Sequence, residues 1–349
     1  MLVGWHVAVL GTGRWSEVHL RALTASPYCD RVTLAGRNRA AAAARAAEFP
    51  IVQHCVDDFC SVYDDPSIEL VQICLPHHLH TEVAYDALQA GKHVICEKPA
   101  AIDMASFDRV VAKAEEVGRR YLVVMCQLYN PLVLRARELV DEGALGRVFL
   151  YVETGFSQHA DSYRNPDDWR TRVALAGGGV LIDGGYHMVY KQLFLLGGVA
   201  RPRWIMADAS QLNVDPRGKP IEAIGEDYIA YTIGFDEPLR VVSSHAWTLA
   251  ADAHPARRGF IAGSDATLEL PTNVTEPLIL RAADGTERIE DVPGPRSGAD
   301  ATHACLLDYL ETLATNRELQ NASVAAARSA LAVIFGVYKS SSLRQRITL

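Results

Sequence analysis

The first 125 residues alternate short apolar runs with alanine-rich stretches of helical periodicity. Runs at 6–10 (HVAVL), 31–35 (RVTLA), 70–75 (LVQICL), 93–96 (HVIC) and 121–126 (YLVVMC) predict strands. The stretches at about 14–25, 39–48, 80–90 and 103–118 predict helices between them. Strands that alternate with helices require crossovers, and therefore a parallel sheet covered on both faces. DEGALGRV (141–148) closes a further helix with glycines. From about residue 148 the pattern changes. VFLYVETGF (148–156), RWIMADASQLNV (203–214), DYIAYTIGF (227–235), LRVVSSHAW (239–247) and ATLEL (266–270) are alternating or β-rich, which predicts an antiparallel or mixed sheet. Two helices, 301–316 and about 322–338, end the chain. The expectation is an α/β protein of two domains, 1–125 and 126–349, whose C-terminal helix is free to pack back on the first.

Composition narrows the class. The 349 residues are 49% apolar and 22% charged, as in an ordinary globular protein. A net charge of −8 argues against nucleic acid or an anionic membrane as partner. The seven cysteines (29, 55, 60, 74, 96, 126 and 305) are scattered without CxxC spacing, which fits reduced thiols. MLVGWHVAVLGTG does not read as a secretory signal, and no apolar run approaches membrane-spanning length. A cytoplasmic location is the expectation.

Three stretches carry candidate chemistry. In HVAVLGTGRWSEVHL, Gly11 and Gly13 fall between a strand and a helix, where a dinucleotide pyrophosphate needs a tight turn and close backbone approach. Ser16, at the third glycine position, is small enough for helix–strand packing. The acid that would bind the adenosine ribose is absent after the second strand. Gly36 and Arg37 stand there instead, and an arginine suits a 2′-phosphate or an adenine face. In HVICEKPA, Lys98 precedes a proline at a strand end. Alone, that reads equally as a solvated end or as a lysine held at a cleft. In AGGGVLIDGGYHMVYKQLFLLGG (176–198), Gly177–Gly179 offer a flexible backbone ahead of Asp183 and His187, which share one face of a helix at i, i+4. A carboxylate beside an imidazole suits proton removal from a hydroxyl, although a packed or capping histidine gives the same pattern.

Together Gly11/Gly13, the EKP of 97–99 and GGGVLIDGGYH resemble the glucose–fructose oxidoreductase / inositol dehydrogenase / MocA family. PHHLHTEVAYDALQAGKHVICEKPA, LYNPLVLRARELVDEGALGRV and EDYIAYTIGF extend the resemblance over nearly the whole chain. It implies a Rossmann domain followed by an α/β domain with a large open, mostly antiparallel sheet. It implies an NAD(P)-dependent dehydrogenase that oxidises a secondary hydroxyl of a sugar, cyclitol or glycoside to a ketone without a metal. Lys98, Asp183 and His187 are then the catalytic set: His187 as base, Asp183 positioning sugar and ring, Lys98 steadying the reacting oxygen, with the Lys98–Pro99 peptide often cis in the family. Gly11, Thr12, Gly13, Arg14, Trp15, Arg37, Leu75, Pro76, His77, His80, Glu97, Lys98 and Gln127 would bind the cofactor. Lys98, Tyr163, Trp169, Arg170, Asp183, His187, His245 and Trp247 would meet the substrate.

Three positions depart from the family pattern. His77 replaces a frequent asparagine, Leu128 a common arginine, and Tyr190 an acid three residues after the histidine, which removes a possible ring or sugar contact. Arg37 points to NADP, whereas an oxidative role favours NAD, and NAD is preferred on that ground. The triplet His77, His78 and His80 lacks the Cys or acid that would complete a metal site. Asp161, Asp167 and Asp168, with the net charge, suggest an amino sugar and hence 3″-oxidation of an aminoglycoside pseudo-disaccharide before transamination. The alternatives are a non-catalytic NAD(P)-binding regulator and an NAD-dependent glycosidase of the same fold. A homodimer or homotetramer through the second sheet is expected.

Overall fold

The computed structural model describes residues 4–156, 168–197, 201–212, 225–236, 238–247, 259–271, 276–295, 297–319 and 321–349. The chain divides into two compact units. One comprises Met1–Tyr129 with Gly298–Arg328, the other Asn130–Ser297 with Ser329–Leu349.

The first unit is built on a six-stranded parallel sheet of order β3-β2-β1-β4-β5-β6. Its strands are β1 (Trp5–Leu10), β2 (Cys29–Ala35), β3 (Val52–Val56), β4 (Leu70–Ile73), β5 (His93–Cys96) and β6 (Tyr121–Val123). Val7–Leu10, Leu70, Val71, Ile73 and Val94–Cys96 are all fully buried, as parallel strands between two helical layers must be. The sequence reading found five of these strands. β3 escaped it because Gln53, His54 and Cys55 are exposed on the sheet edge, so no apolar run marks it. The helices are α1 (Arg14–Ala25), α2 (Arg39–Glu48), α3 (Cys60–Asp64), α4 (His80–Gln89) and α5 (Met104–Glu116). Asn38 and Asp103 cap α2 and α5 through bonds of 3.0 and 2.8 Å to Ala41 N–H and Ser106 N–H.

The second unit starts with α6 (Pro131–Asp141), where Asn130 caps and Pro131 takes the first turn, whose N–H groups lack intrahelical partners. Its nine-stranded sheet runs β14-β13-β12-β11-β7-β10-β9-β8-β15. The strands are β7 (Val148–Phe156), β8 (Pro202–Ser210), β9 (Tyr228–Phe235), β10 (Arg240–Ala246), β11 (Gly259–Gly263), β12 (Ala266–Leu270), β13 (Leu278–Ala282), β14 (Glu287–Glu290) and β15 (Ile347–Thr348). Only β7 and β10 pair in parallel. Among the described residues the further α-helices are α7 (Val173–Ala176), α8 (Tyr186–Leu196), α9 (Gly298–Thr315) and α10 (Val324–Leu343). α9 belongs to the first unit, where Tyr309 donates to Val123 O at 2.6 Å and Tyr129 donates to Asp308 at 2.5 Å.

Candidate active site

In the first unit the strand order reverses between β1 and β4, and ligands of such sheets bind beyond the strand ends at that point. Gly11 sits there with φ +112°, and a Cβ on it would stand 2.3 Å from Cys74 O, so only glycine fits. At Gly13 the reverse holds: a Cβ would meet nothing within 4 Å. Gly13 caps α1 without a side chain, so the helix's first N–H groups face that open space. Ser16 is fully buried and donates to Gly13 O at 2.6 Å, closing the turn. This cradle fits a pyrophosphate on geometry alone. A Cβ at Gly36 would stand 2.6 Å from Thr12, so the end of β2 packs directly on the turn. Arg37, one residue further, is exposed and forms no ion pair among the described residues.

Beyond β4 and β5 two loops are tied together. The Lys98–Pro99 peptide is cis. Fully buried His80 lies 2.8 Å from Pro99 O through Nδ1 and 2.8 Å from Leu75 O through Nε2. Burial lowers the His80 pKa and outweighs the two carbonyls, which favour the charged ring. His77 is buried against His80, with ring centroids 5.7 Å apart. Lys98 is half-buried, and Glu97 beside it is 8% exposed. Among the described residues no cluster of His, Cys, Asp or Glu is placed to hold a metal. Leu128 is fully buried, so it packs where an arginine would have reached out.

In the second unit the glycine run is a clamp rather than a flexible linker. Gly177 ends α7 at φ +88°. A Cβ on Gly178 would lie 2.2 Å from the Tyr338 hydroxyl, and one on Gly179 would lie 1.9 Å from Glu226 O. Glu226, which sequence reasoning did not single out, holds this turn. Its carboxylate accepts from Gly179 N–H (2.8 Å), Leu181 N–H (3.0 Å) and the Tyr338 hydroxyl (2.9 Å), and its carbonyl accepts from Val180 N–H (2.8 Å). Burial raises the Glu226 pKa despite these donors. No local signal marks Glu226, because its partners lie 45, 47 and 112 residues away.

The chain leaves this clamp through a π-helical turn, Leu181–Gly185, before α8 begins. Asp183 is therefore on a wider turn than the α-helix its spacing predicted, and His187 opens the α-helix itself. Asp183 is 9% exposed and His187 half-buried. His187 Nδ1 lies 2.7 Å from the hydroxyl of Tyr190, which is 1% exposed. The ring contact expected to disappear with the missing acid is thus retained by a phenol.

Of the proposed substrate contacts, Tyr163 lies outside the described residues. Trp169 and Arg170 are half-buried, with the guanidinium 4.4 Å from the indole centroid, and Asp168 caps their short turn. His245 lies on β10 and Trp247 just beyond it. They are 2% and 3% exposed. His245 stacks on Tyr231 and lies 3.2 Å from Ser243 Oγ, in a network that continues through Gln192 to Glu153. A Cβ on Gly185 would come within 3.6 Å of His245 Nδ1, and one on Gly184 within 3.8 Å of Trp247 Nε1.

The comparisons agree with this architecture. Residues 5–125 match the oxidoreductase family model with an NAD-binding Rossmann fold, and residues 133–269 match the GFO/IDH/MocA C-terminal domain. The chain belongs to the GFO/IDH/MocA family of oxidoreductases. It is 30% identical over 200 residues to levoglucosan dehydrogenase from Pseudarthrobacter phenanthrenivorans, a match covering 55% of this chain and 51% of that protein. A 28% identical match to D-xylose 1-dehydrogenase [NADP(+)] from Haloarcula marismortui covers 54% of this chain and 53% of that protein, so these matches span about half of each relative. A putative UDP-kanosamine synthase oxidoreductase subunit from Amycolatopsis mediterranei is 28% identical over 299 residues, 78% of this chain and 79% of that protein. The solved structure of levoglucosan dehydrogenase with NADH and levoglucosan shares the fold at a TM-score of 0.87 over 99% of both chains, with 21% identity.

Two expectations follow. Gly13→Val fills the open side of the turn, so dinucleotide affinity should fall in a folded protein; unchanged affinity in a fluorescence titration would remove the phosphate role. Gly179→Ala forces a Cβ against Glu226 O and should cost about 1–3 kcal/mol in chemical denaturation. Unaltered stability would show that the clamp yields easily.

Proposed function

We propose that this protein is an NAD(P)-dependent dehydrogenase that oxidises a secondary hydroxyl of a sugar, cyclitol or glycoside to a ketone. The observation that carries the reading is the 2.7 Å contact between His187 Nδ1 and the Tyr190 hydroxyl. With the Nδ1 proton donated to the phenol oxygen, Nε2 is the nitrogen that accepts a proton. His187 then removes the hydroxyl proton, Asp183 orients the sugar, and the Lys98 ammonium stabilises the negative charge that develops on oxygen. The chemistry a bound nicotinamide supplies is acceptance of the hydride. The Gly11–Gly13 turn holds the pyrophosphate, with Thr12, Arg14, Trp15, Leu75, Pro76, His77, His80, Glu97 and Gln127 as the surrounding contacts.

NAD is the preferred cofactor for an oxidative role, with Arg37 facing the adenosine end. Within the substrate class, an amino-sugar glycoside oxidised at a 3″ position has the support of the net charge of −8, of Asp168, and of the resemblance to a protein named for UDP-kanosamine synthesis. Self-association through the second sheet is supported by Met206 and Val242, which are 56% and 41% exposed on it. A cytoplasmic location is supported by the scattered free thiols. Among the described residues no helix is long and apolar enough to cross a membrane.

A panel of free sugars, inositols, nucleotide sugars and aminoglycosides with NAD⁺ or NADP⁺, followed by absorbance of the reduced cofactor, tests the reading. A keto product with stoichiometric reduced cofactor is expected. A hydrolysed glycoside without accumulating reduced cofactor would instead indicate a glycosidase, and no turnover a regulator. His187→Ala should lower kcat by about 10²–10⁴-fold. Lys98→Met should also lower kcat while cofactor binding persists, and the double variant should lose far less than the product of the two. Wild-type kcat in His187→Ala at every pH would end the mechanism. Arg37→Ala should weaken NADP(H) more than NAD(H) if the guanidinium meets the 2′-phosphate, whereas equal losses would leave it an adenine contact.

A further inference from the structure

A buried polar cluster under the glycine turn takes no direct part in this chemistry. His19, on α1, is fully buried. Its Nδ1 lies 2.8 Å from Gln72 Oε1 on β4, and its Nε2 lies 3.1 Å from Glu97 Oε1 just after β5. Gln72 Oε1 and the Glu97 carboxylate are both placed to accept, and a ring protonated on both nitrogens satisfies both contacts. Burial opposes that charge most strongly, yet Cys74 and Glu97 outweigh it and hold the His19 pKa well above the ordinary value. Burial likewise opposes the Glu97 carboxylate, and His19 first, then Lys98, hold its pKa below the ordinary value. Neither charge would survive in this core without the other.

The pair also reaches the lysine. Glu97 Oε2 accepts from Lys98 N–H at 3.1 Å, while Glu97 N–H donates to Ile73 O at 3.0 Å. On the other side of Lys98, Pro99 O is taken by His80. We propose that His19 is a positioning residue for Lys98. By fixing Glu97 Oε1 it aims Oε2 at the Lys98 amide, and it thereby ties the helix that opens at the phosphate turn to the loop that carries the lysine. The pair is an ionic strut between two cofactor-side elements, 78 residues apart in the chain. The inference rests on the dehydrogenase reading only for what Lys98 does, and not for how it is held.

Three folded variants of the full chain test it: His19→Leu, His19→Gln and Glu97→Gln. Two readouts are NADH affinity by fluorescence and kcat on whichever panel substrate is turned over. The third needs no turnover: the pH profile of Lys98 acylation by an N-hydroxysuccinimide acetate, read by mass spectrometry against Lys113, a half-buried lysine paired with Glu116. His19→Leu should lower kcat by about 10²-fold, as expected for a reacting group displaced by an ångström, with NADH affinity little changed. The Lys98 profile should shift while that of Lys113 stays, His19→Gln should restore part of the loss, and His19→Leu with Glu97→Gln should be non-additive. An unchanged Lys98 profile in either His19 variant would overturn the proposal. So would a parallel fall of kcat and NADH affinity, since His19 would then serve the phosphate helix alone. A shifted Lys98 profile in a protein without dehydrogenase activity would uphold the strut and reject only the reading of the reaction.

Discussion

Close approach of backbone to backbone, at points where no Cβ can stand, underlies the candidate site in each unit. At Gly11 the carbonyl of Cys74 lies where a side chain would begin, and at Gly179 the carbonyl of Glu226 does. Each contact brings peptide groups from distant segments into hydrogen-bonding range. The first leaves α1's N–H groups facing open space at Gly13, and the second fixes the entry to the π-turn bearing Asp183. A larger residue at either glycine would separate the elements whose ends carry the chemistry.

Buried histidines form the second theme. His80 spans the loops after β4 and β5, His19 pairs with Glu97, and His245 stacks on Tyr231 beneath the π-turn. In a low-dielectric interior a buried ring is tolerated when its nitrogens meet oxygen or hydroxyl partners, which for His19 and His80 lie on other segments. Each ring thereby orients the groups it bonds. The same logic applies to Tyr190, which gives His187 a neutral ring partner where the family pattern has a carboxylate.

The comparisons place the chain in an oxidoreductase family, and named sugar dehydrogenases are among the proteins it resembles. Glu226 and Tyr338 show how a family motif is realised in one chain. The glycines are visible as GGG, but the Glu226 backbone that makes glycine obligatory at 179 comes from a segment 47 residues on.

Much of this was legible in the chain itself. Continuous apolar runs marked five of the six parallel strands, because strands covered on both faces have no polar side to interrupt the run. Gly11 and Gly13, the EKP lysine and the Asp183–His187 pair were visible because local geometry or family pattern requires those residue types at those spacings. What periodicity could not convey was partnership across the fold. An edge strand such as β3 has too little buried surface to leave an apolar signature. His245 and Trp247 read as substrate contacts, and their depth of burial, 2% and 3% exposed, came only with the packing of the second unit. Tyr190 read as a lost acid until its hydroxyl met His187, and His19 read as one more helix residue until Glu97 reached it. A sequence records which face of an element is apolar, whereas hydrogen-bond partners, and the charge states they permit in a dry interior, are decided by which distant elements meet.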